Sequence, residues 1–289
     1  MSEPFIGSEA IAAGDITKSS LRRRYIRLFP DVYVVAGAEP TAQDLARGGW
    51  LWSGRKAVVA GRSAAALLGT AWIDDTVPVD LIHDNRNRPS GITVRGDRLE
   101  ADEIQLFDGM PVTTPLRTAL DLACWYPRGT AMKTLDALAR ATSIDPLDAL
   151  VLAERYPGRR GIRAARENLK LVDSGAQSPK ETWLRLLLID AGFPRPQTQI
   201  PILNEFGDEI AYLDMGWEDI MVAVEYDGEQ HRTDRWQYTR DLRRRDMLEE
   251  LGWVVVRVVA GDRQADIIRH VRAAIARRAS LQSHVRRSA

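Results

Sequence analysis

Residues 222–227, Val-Ala-Val-Glu-Tyr-Asp, limit the fold of this chain more than any other segment. Successive side chains of a β-strand point to opposite faces of its sheet. Glu225 and Asp227 therefore share one face with Ala223, while Val222 and its apolar partners face the other way. The segment predicts a strand that packs one face into a core and carries two carboxylates on the other.

The elements around this strand predict an α/β domain. Ser178 before Pro179, with Glu181 three residues after Ser178, has the pattern of a helix N-terminus with a capping box. Turn residues then divide alternating apolar segments into strands. The predicted order is a helix to about Asp190, strands Thr198–Leu203, Ile210–Gly216 and Ile220–Asp227, helix Arg235–Leu251, strand Trp253–Ala260 and helix Arg263–Arg278.

Asp214 lies near the end of the strand that precedes residues 222–227. A short turn joins the two strands, so we expect Asp214 to lie beside Glu225 and Asp227. Carboxylates that converge repel each other unless a cation binds between them, and oxygen ligands suit hard divalent ions. The sequence therefore predicts a site for Mg²⁺ or Mn²⁺ formed by Asp214, Glu225 and Asp227. His231, after Gly228, can reach back toward this site.

The chain has 289 residues, which predicts two or three domains. Val172–Pro179 has the composition of a linker, and we expect domains at residues 1–38, 39–175 and 176–289. Cys124 is the sole cysteine, which excludes a disulfide framework and a multi-cysteine zinc site. The sequence has no membrane-spanning apolar run and no signal peptide pattern, so a cytoplasmic protein without membrane contact is expected.

Charge is distributed unevenly although the net charge is zero. Residues 18–62 contain nine basic and three acidic side chains, residues 201–234 contain ten acidic side chains and one Arg, and residues 235–289 contain thirteen Arg and six acidic side chains. The two basic regions favour binding to phosphates, and the acidic region between them favours binding to a divalent cation.

Residues 8–37 predict two short helices and a hairpin, which is the order of a winged helix-turn-helix. Ser8 is the predicted cap of the first helix, and Thr17 caps a second helix, Lys18–Arg27. Leu21, Tyr25 and Leu28 would form its apolar face. The remaining faces would contact DNA, unless the helix is only a solvated surface. The predicted DNA-binding residues are Lys18, Arg22, Arg23, Arg24 and Arg27.

Residues 39–175 predict a mixed α/β region. The expected elements are helix Lys56–Trp72, strands Val77–His83 and Gly91–Val94, a helix from Thr114 to about Trp125 and helix Thr130–Thr142. Arg117 and Asp121 are four residues apart on a predicted helix, where a surface ion pair is expected. We expect Cys124 to be buried and apolar and His83 to be structural.

The C-terminal region, residues 177–278, resembles the very-short-patch repair (Vsr-like) branch of the PD-(D/E)XK nucleases. Five separated motifs occur in the family's order: Ser178-Pro179-x-Glu181, Leu213-Asp214, Val222 to His231, Arg240-Asp241-x-x-Arg244, and Gly252-Trp253 with Arg257. The resemblance implies a restriction-endonuclease-like fold, αβββαβα, and metal-dependent hydrolysis of DNA phosphodiesters.

The resemblance also implies residue roles. Asp214 and Glu225 match metal-binding acids, and Glu181 matches a helix acid that orients the site. Asp227 stands where the superfamily has Lys, and His231 then matches a general base or electrostatic stabiliser. Arg240, Arg243 and Arg244 would hold the DNA backbone, or pair with neighbouring acids on their helix.

The N-terminal two thirds resemble AbiEi-type antitoxins, which join a winged helix to an α/β domain and often repress their own operon. The matching segments are Gly14–Val34, Ser63–Gly69 and Gly109–Leu122. This resemblance implies binding to double-stranded DNA and a cognate toxin partner.

Two functions follow from these observations. The first is a DNA-binding protein with a Mg²⁺-dependent endonuclease domain that hydrolyses phosphodiester bonds. The alternative is an antitoxin-like transcriptional regulator whose nuclease fold is inactive. RNA as the substrate is a weaker third interpretation.

Overall fold

The computed structural model of the protein describes residues 3–85, 87–228 and 244–288, with side chains to residue 280. The chain divides into two units, Met1–Ser174 and Gly175–Ala289. Both units combine helices with a β-sheet, which confirms the predicted mixed α/β class.

Unit 1 begins with two short helices and a small antiparallel sheet. Ile16 and Leu21 pack with Ala10 in a small core between the two helices. Phe29 and Val32 from the hairpin join the larger core of unit 1, so the sheet packs on the rest of this unit. The elements are β1 (Phe5–Ile6), α1 (Gly7–Ala12), α2 (Lys18–Arg24), β2 (Tyr25–Phe29) and β3 (Val32–Val35), with the sheet order β1-β3-β2.

The second helix is shorter than the sequence predicts. It ends at Arg24, and Arg27 lies on β2. The expected apolar helix face through Tyr25 and Leu28 is therefore wrong, because residues 25–29 pair with β3 across the turn at Asp31. Ser8 is not a cap either: its amide donates to the Asp31 carboxylate at 3.0 Å, which ties α1 to the hairpin turn.

The remainder of unit 1 surrounds a five-stranded sheet of order β6-β5-β4-β8-β7. Its core contains Val59, Leu81 and Val112 from the strands and Ala46 and Ala64 from the helices. The elements are α3 (Ala42–Trp52), β4 (Val58–Val59), α4 (Gly61–Leu67), β5 (Val79–Ile82), β6 (Ile92–Arg95), β7 (Ile104–Phe107), β8 (Met110–Thr113), α5 (Pro115–Trp125), α6 (Arg128–Thr142), α7 (Pro146–Ala153) and α8 (Ile162–Leu169).

The predicted single helix Lys56–Trp72 is wrong in its first part. Val58–Val59 forms strand β4 between β5 and β8, and α4 spans only Gly61–Leu67. Gly61 separates the two elements with a φ of +52°. A Cβ there would lie 2.6 Å from an Asp80 carboxylate oxygen, so this position requires glycine.

Unit 2 contains the predicted order of elements among its described residues. Its four-stranded sheet has the order β12-β11-β10-β9, with β11 and β12 parallel and the other pairs antiparallel. The elements are α9 (Pro179–Asp190), β9 (Gln197–Leu203), β10 (Glu209–Trp217), β11 (Val222–Asp227), α10 (described over 244–250), β12 (Val254–Val259) and α11 (Gln264–Ser288).

Both faces of this sheet are covered. Val222, Val224 and Val258 pack with residues of α9 and α11 on one face. Ala223 packs on the other face with Leu248 of α10 and with Trp253. The alternation predicted for β11 is therefore confirmed. Across the described part of the chain, every helix is too short or too polar to cross a membrane.

Candidate functional site

A basic groove lies between α2 and the hairpin of unit 1. Its volume is about 390 Å³, and we call it the N-terminal groove. Thr17 caps α2 by accepting the Ser20 amide at 3.1 Å, and buried Leu21 anchors the helix to the small core. The groove is lined by Lys18, Leu21, Arg22, Tyr25, Arg27 and Tyr33.

The N-terminal groove has three basic lining residues and, among the described residues, no acidic one. Lys18 and Arg22 come from α2, whereas Arg27 comes from β2, so the end of the helix at Arg24 places cations on two walls. Arg23 and Arg24 are also exposed on α2 but do not line the groove. The structure thus separates the five predicted DNA-binding residues into two sets.

A second candidate site lies in unit 2, where Asp214 of β10 meets β11. The Tyr226 amide donates to Asp214 Oδ2 at 2.9 Å, which places Asp214 beside the residue that follows Glu225. Arg244 Nη2 donates to Glu225 Oε1 at 2.7 Å and also to the Tyr212 carbonyl. The described residues therefore bring together two predicted carboxylates and one predicted arginine, and we call them the carboxylate pair and its arginine.

The environment of the carboxylate pair disfavours the charged forms of both acids. Burial raises the pKa of Asp214, although the Tyr226 amide and Arg244 act in the opposite direction. Burial also raises the pKa of Glu225, which is 7% exposed; Arg244 lowers it and the charge of Asp214 raises it further. Arg257 also lowers the pKa of Glu225, so the pair is compensated by one bonded guanidinium and by a second that acts on Glu225 without a bond.

The geometry of β10 around Asp214 was not expected from the sequence. Leu213 packs with the Ala223 cluster, whereas Met215 packs with the Val222 cluster on the opposite face. Side chains two apart normally share a face, so the alternation of β10 is broken at Asp214. Gln199 in the neighbouring strand has a φ of +50°, which marks the same irregularity.

Gly216 holds β10 close to β11. A Cβ at this position would lie 2.8 Å from the Ala223 Cα and closer still to the Val222 carbonyl oxygen. Both obstacles are backbone atoms, which cannot move aside. The close strand approach that brings Asp214 to β11 therefore requires glycine here.

The other predicted site residues in unit 2 lie in different settings. Asp227 is half-buried at the end of β11. Glu181 accepts the Gln177 amide at 2.8 Å, and its own amide donates to Ser178 Oγ at 3.2 Å, so it stabilises the start of α9. His231, Arg240 and Arg243 lie outside the described residues. Within 3–85, 87–228 and 244–288, no three His, Cys, Asp or Glu side chains are grouped so as to hold a metal ion.

Sequence reasoning missed two lining residues of the N-terminal groove, Tyr25 and Tyr33. Their signal was present as alternation in residues 25–29 and 32–35, but residues 25–27 were assigned to the helix. Tyr25 and Tyr33 both pack against Phe5, so these rings form the wall of the groove that joins it to the small core.

Comparison with known proteins identifies relatives over most of the chain. The curated uncharacterized proteins of two Mycobacterium tuberculosis strains are each 34% identical over 212 residues, which cover 71% of this chain and 78% of theirs. The chain belongs to their family. Residues 57–171 of this family member match the model of the AbiEi antitoxin C-terminal domain. No solved structure matches the chain.

The AbiEi-like segment of the family member contains a buried ionic network on α5. Arg117 and Asp121 are fully buried, so the predicted surface pair is wrong. Arg117 Nε donates to Asp121 Oδ1 at 2.8 Å, and its Nη1 donates to Glu103. Arg159 Nη2 donates to the same Asp121 oxygen at 2.6 Å. Helix spacing predicts the pair but not the elements that cover it.

The aromatic residues beside this network are also partly buried. Tyr156 donates its hydroxyl to Glu103 Oε1 at 2.7 Å, and its ring lies 5.1 Å from the Arg117 guanidinium carbon.

Cys124 is half-buried rather than buried, and burial raises the pKa of its thiol to about 11. A thiol with that pKa is protonated at neutral pH, which makes it a poor nucleophile.

Proposed function

We propose that this protein is a DNA-binding regulator of the antitoxin type. The single observation that carries the proposal is the N-terminal groove, whose walls present Lys18, Arg22 and Arg27 without an acidic lining residue in the described structure. Such a groove suits a phosphate backbone, which supplies most of the affinity in protein–DNA binding.

The surrounding elements support this proposal. Two helices separated by a turn at Gly14 precede a hairpin, which is the order of a winged helix-turn-helix. We assign residues 1–38 to this role, with the exposed Arg23 and Arg24 available to a second strand of the duplex. The hairpin contributes Arg27 and Tyr33, so helix and hairpin would both contact DNA.

The match of residues 57–171 to an antitoxin domain supports the second half of the proposal. An antitoxin acts on a cognate toxin, and we propose a toxin protein as the partner of this segment. Repression of the operon that encodes both proteins is the corresponding regulatory role.

DNA binding is tested by fluorescence anisotropy with a labelled duplex from the region upstream of the gene. Changing Lys18, Arg22 and Arg27 together to Gln should weaken binding and lower the slope of log K against log salt by about 0.9 for each phosphate that the variant no longer neutralises. Arg22→Gln alone should show the effect, whereas Arg23→Gln, its exposed neighbour outside the groove, should show less.

A matched control removes three exposed charges elsewhere in unit 1. The variant Lys133→Gln/Arg160→Gln/Arg163→Gln has the same net charge as the groove variant. Equal weakening by the groove variant and this control would contradict the proposal, because it would show dependence on net charge alone.

A metal-dependent nuclease is the second candidate function, and the carboxylate pair is the observation that favours it. Buried carboxylates with raised pKa values and one shared arginine would gain from a divalent cation. Asp214 and Glu225 offer oxygen ligands of the type that Mg²⁺ or Mn²⁺ takes, although Arg244 now bonds to Glu225. A bound cation would supply charge neutralisation at the phosphate. Asp227, the third ligand expected from the sequence, is not grouped with Asp214 and Glu225 in the described structure, so the proposed ligands are these two.

The nuclease candidate is tested by plasmid nicking and by calorimetry with Mn²⁺. Asp214→Asn and Glu225→Gln should each abolish nicking and weaken Mn²⁺ binding while the fold is retained. His231→Ala should slow nicking by about 10²–10⁴-fold and leave Mn²⁺ binding intact, as expected of a general base. If both carboxylate variants nick the plasmid at the wild-type rate, this function is excluded. If the protein cleaves RNA but not DNA, the proposed substrate is RNA.

A further inference from the structure

A second basic groove runs along the outer edge of the unit 2 sheet. Strand β12 is the last strand of the described sheet and pairs there with β11 alone. The groove beside it has a volume of about 700 Å³, and we call it the edge groove. Its walls come from α10, β12 and α11, and the residues that matter for its chemistry are Arg245, Arg257, Arg277, Arg278, Leu248 and Trp253.

The edge groove has an excess of positive charge. Its acidic lining residue, Glu249, is already paired with Arg245 at 3.0 Å. Arg278 donates its Nε to the Ile220 carbonyl at 3.0 Å, a neutral acceptor that orients the guanidinium and leaves its charge in place. Neither Arg257 nor Arg277 has a carboxylate within ion-pair distance among the described side chains. Arg277 and Arg278 therefore remain for an anionic ligand, together with Arg257, whose charge also acts on Glu225.

The backbone of β12 favours a phosphate ligand over an added peptide strand. The Val254 amide donates to the Met221 carbonyl, so by alternation the amides of residues 255, 257 and 259 point away from β11. The Val259 amide is already bonded to Asp262 Oδ2 at 2.9 Å, which blocks one end of the edge. Strand addition needs a row of free amides, whereas phosphates need only the cationic side chains.

The edge groove continues the surface that carries the carboxylate pair. Arg257 is the parallel partner of Glu225 in the register of β11 and β12. It shares the Glu225 face of the sheet, because Val255 packs in the cluster that contains Ala223. A phosphodiester backbone bound in the edge groove would therefore lie one strand away from Glu225, on β11, and two strands away from Asp214, on β10.

We propose that the edge groove binds the phosphodiester backbone of DNA, as a second and sequence-independent contact in addition to that of the N-terminal groove. The inference rests on the proposed DNA-binding function and extends it to residues 175–289, outside the AbiEi-like segment. Two tethered contacts on one duplex raise its apparent affinity above that of either contact alone.

The experiment measures anisotropy of a fluorescein-labelled duplex bound to the full chain over a series of NaCl concentrations. Arg257→Gln/Arg277→Gln should weaken binding and lower the salt slope by about 1.8, for two phosphates at about 0.9 each. Arg263→Gln/Arg269→Gln removes two charges beside and on α11, outside the groove, and should leave the slope unchanged. Arg277→Lys, which keeps the charge, should bind as the wild type does.

A second background separates this inference from the proposed function. When Lys18, Arg22 and Arg27 are changed to Gln, the remaining binding should depend on Arg257 and Arg277. If the variant with Gln at positions 18, 22 and 27 binds the duplex as tightly as the wild type, the N-terminal groove is not the DNA-binding site. Loss of that binding when Arg257 and Arg277 are also changed to Gln would still support the edge groove, and no loss would contradict it. Circular dichroism melting confirms that each variant is folded before its binding is compared.

Three results would overturn the inference. The first is wild-type salt dependence in Arg257→Gln/Arg277→Gln. The second is equal weakening in that variant and in Arg263→Gln/Arg269→Gln. The third is that Arg257→Gln/Arg277→Gln loses the binding of a labelled Glu-rich peptide that the wild type shows, while its duplex binding is unchanged. That result would assign the edge groove to an acidic protein partner.

Discussion

The ionic network of unit 1 and the carboxylate pair of unit 2 both bury charge, but they balance it differently. In unit 1, Arg117 and Arg159 share Asp121 between them, and Glu103 bonds to Arg117 as well. In unit 2, Arg244 bonds to Glu225 and also lowers the pKa of Asp214, while Arg257 acts on Glu225 without a hydrogen bond; burial still raises the pKa of each acid. In the first arrangement two arginines bond to two acids, although burial raises the pKa of Asp121 as well. In the second, one arginine bonds to one of the two acids, so a further cation would add compensation.

This difference agrees with a structural role for the network in unit 1 and with the proposed metal-binding role of the pair in unit 2. A buried charge bonded to partners from other elements holds those elements together, and removing one partner leaves a buried charge less compensated. A buried charge with incomplete partners costs stability, and such costs are concentrated at functional sites. The comparison predicts opposite responses to substitution in the two units.

The largest effect is expected in unit 1. Arg117→Ala should lower the free energy of unfolding by about 3–5 kcal/mol, because Glu103 and Asp121 would remain buried without it. Urea unfolding, followed for each unit by hydrogen exchange and mass spectrometry, measures the loss. Arg55→Ala removes an exposed pair with Glu9, outside the network, and should cost at most about 1 kcal/mol. Similar losses for the two variants would break the comparison.

Gly216→Ala should separate the strands that form the carboxylate pair. Forcing a Cβ against the backbone of β11 should cost about 1–3 kcal/mol in unit 2. Mn²⁺ binding, measured by calorimetry, should fall as well, although no carboxylate has changed. Gly129→Ala is the control: it lies in α6 with open space around it and should stabilise unit 1 by about 0.5–1 kcal/mol. Undiminished stability of Gly216→Ala would refute the close approach.

The pH dependence of the carboxylate pair can be measured separately from that of Asp121, whose pKa burial also raises. Both acids have pKa values above their ordinary values of 3.8 and 4.5, so the folded state favours their protonated forms. Their contribution to stability is present below the ordinary values and is lost as pH rises through the raised ones. The slope is at most about 1.4 kcal/mol per pH unit for each group.

The pH effect is measured by urea unfolding of the wild type and of Asp214→Asn/Glu225→Gln between acidic and neutral pH. The wild type should lose stability relative to the variant as pH rises, since the variant cannot ionise at these positions. Parallel curves for the two proteins would show that the pair is compensated after all.

The smallest effects are expected at two similar helix caps, one in each unit. Thr114 accepts the Arg117 amide at 3.4 Å and Ser178 accepts the Glu181 amide at 3.2 Å, each before a proline at the first helical position. Thr114→Ala and Ser178→Ala should each cost about 1 kcal/mol in their own unit. Ser178→Thr retains the acceptor and should be nearly neutral. Unequal losses would show that capping depends on the unit.

Local signals predicted much of the fold. Thr114-Pro115 and Ser178-Pro179 marked the starts of α5 and α9, because capping and proline geometry depend on neighbouring residues alone. The alternation in residues 222–227 assigned Val224 and Ala223 to opposite faces of the sheet. The order of elements in unit 2 followed from the same periodicities and turn residues.

The sequence did not predict features that depend on distant partners. Arg27 lies on a strand and not on the expected helix, because residues 25–29 pair with β3. This pairing stabilises the strand more than the weak helix propensity of the segment stabilises a helix. Arg117 was expected at the surface because helix spacing shows which residues are neighbours and not what covers them. The broken alternation at Asp214 is visible only in the packing of Leu213 and Met215 into different clusters.

By itself, the sequence determined the mixed α/β class, the caps at Thr17, Thr114 and Ser178, the alternation of β11 and the basic character of residues 18–27. Tertiary structure decided which of those basic residues line a groove, that Asp121 is shared by two buried arginines, and that Asp214 and Glu225 lie together with Arg244. The physical reason is the range of the interactions. Caps and periodicity act within a few residues, whereas burial and charge compensation depend on segments that meet only when the chain has folded.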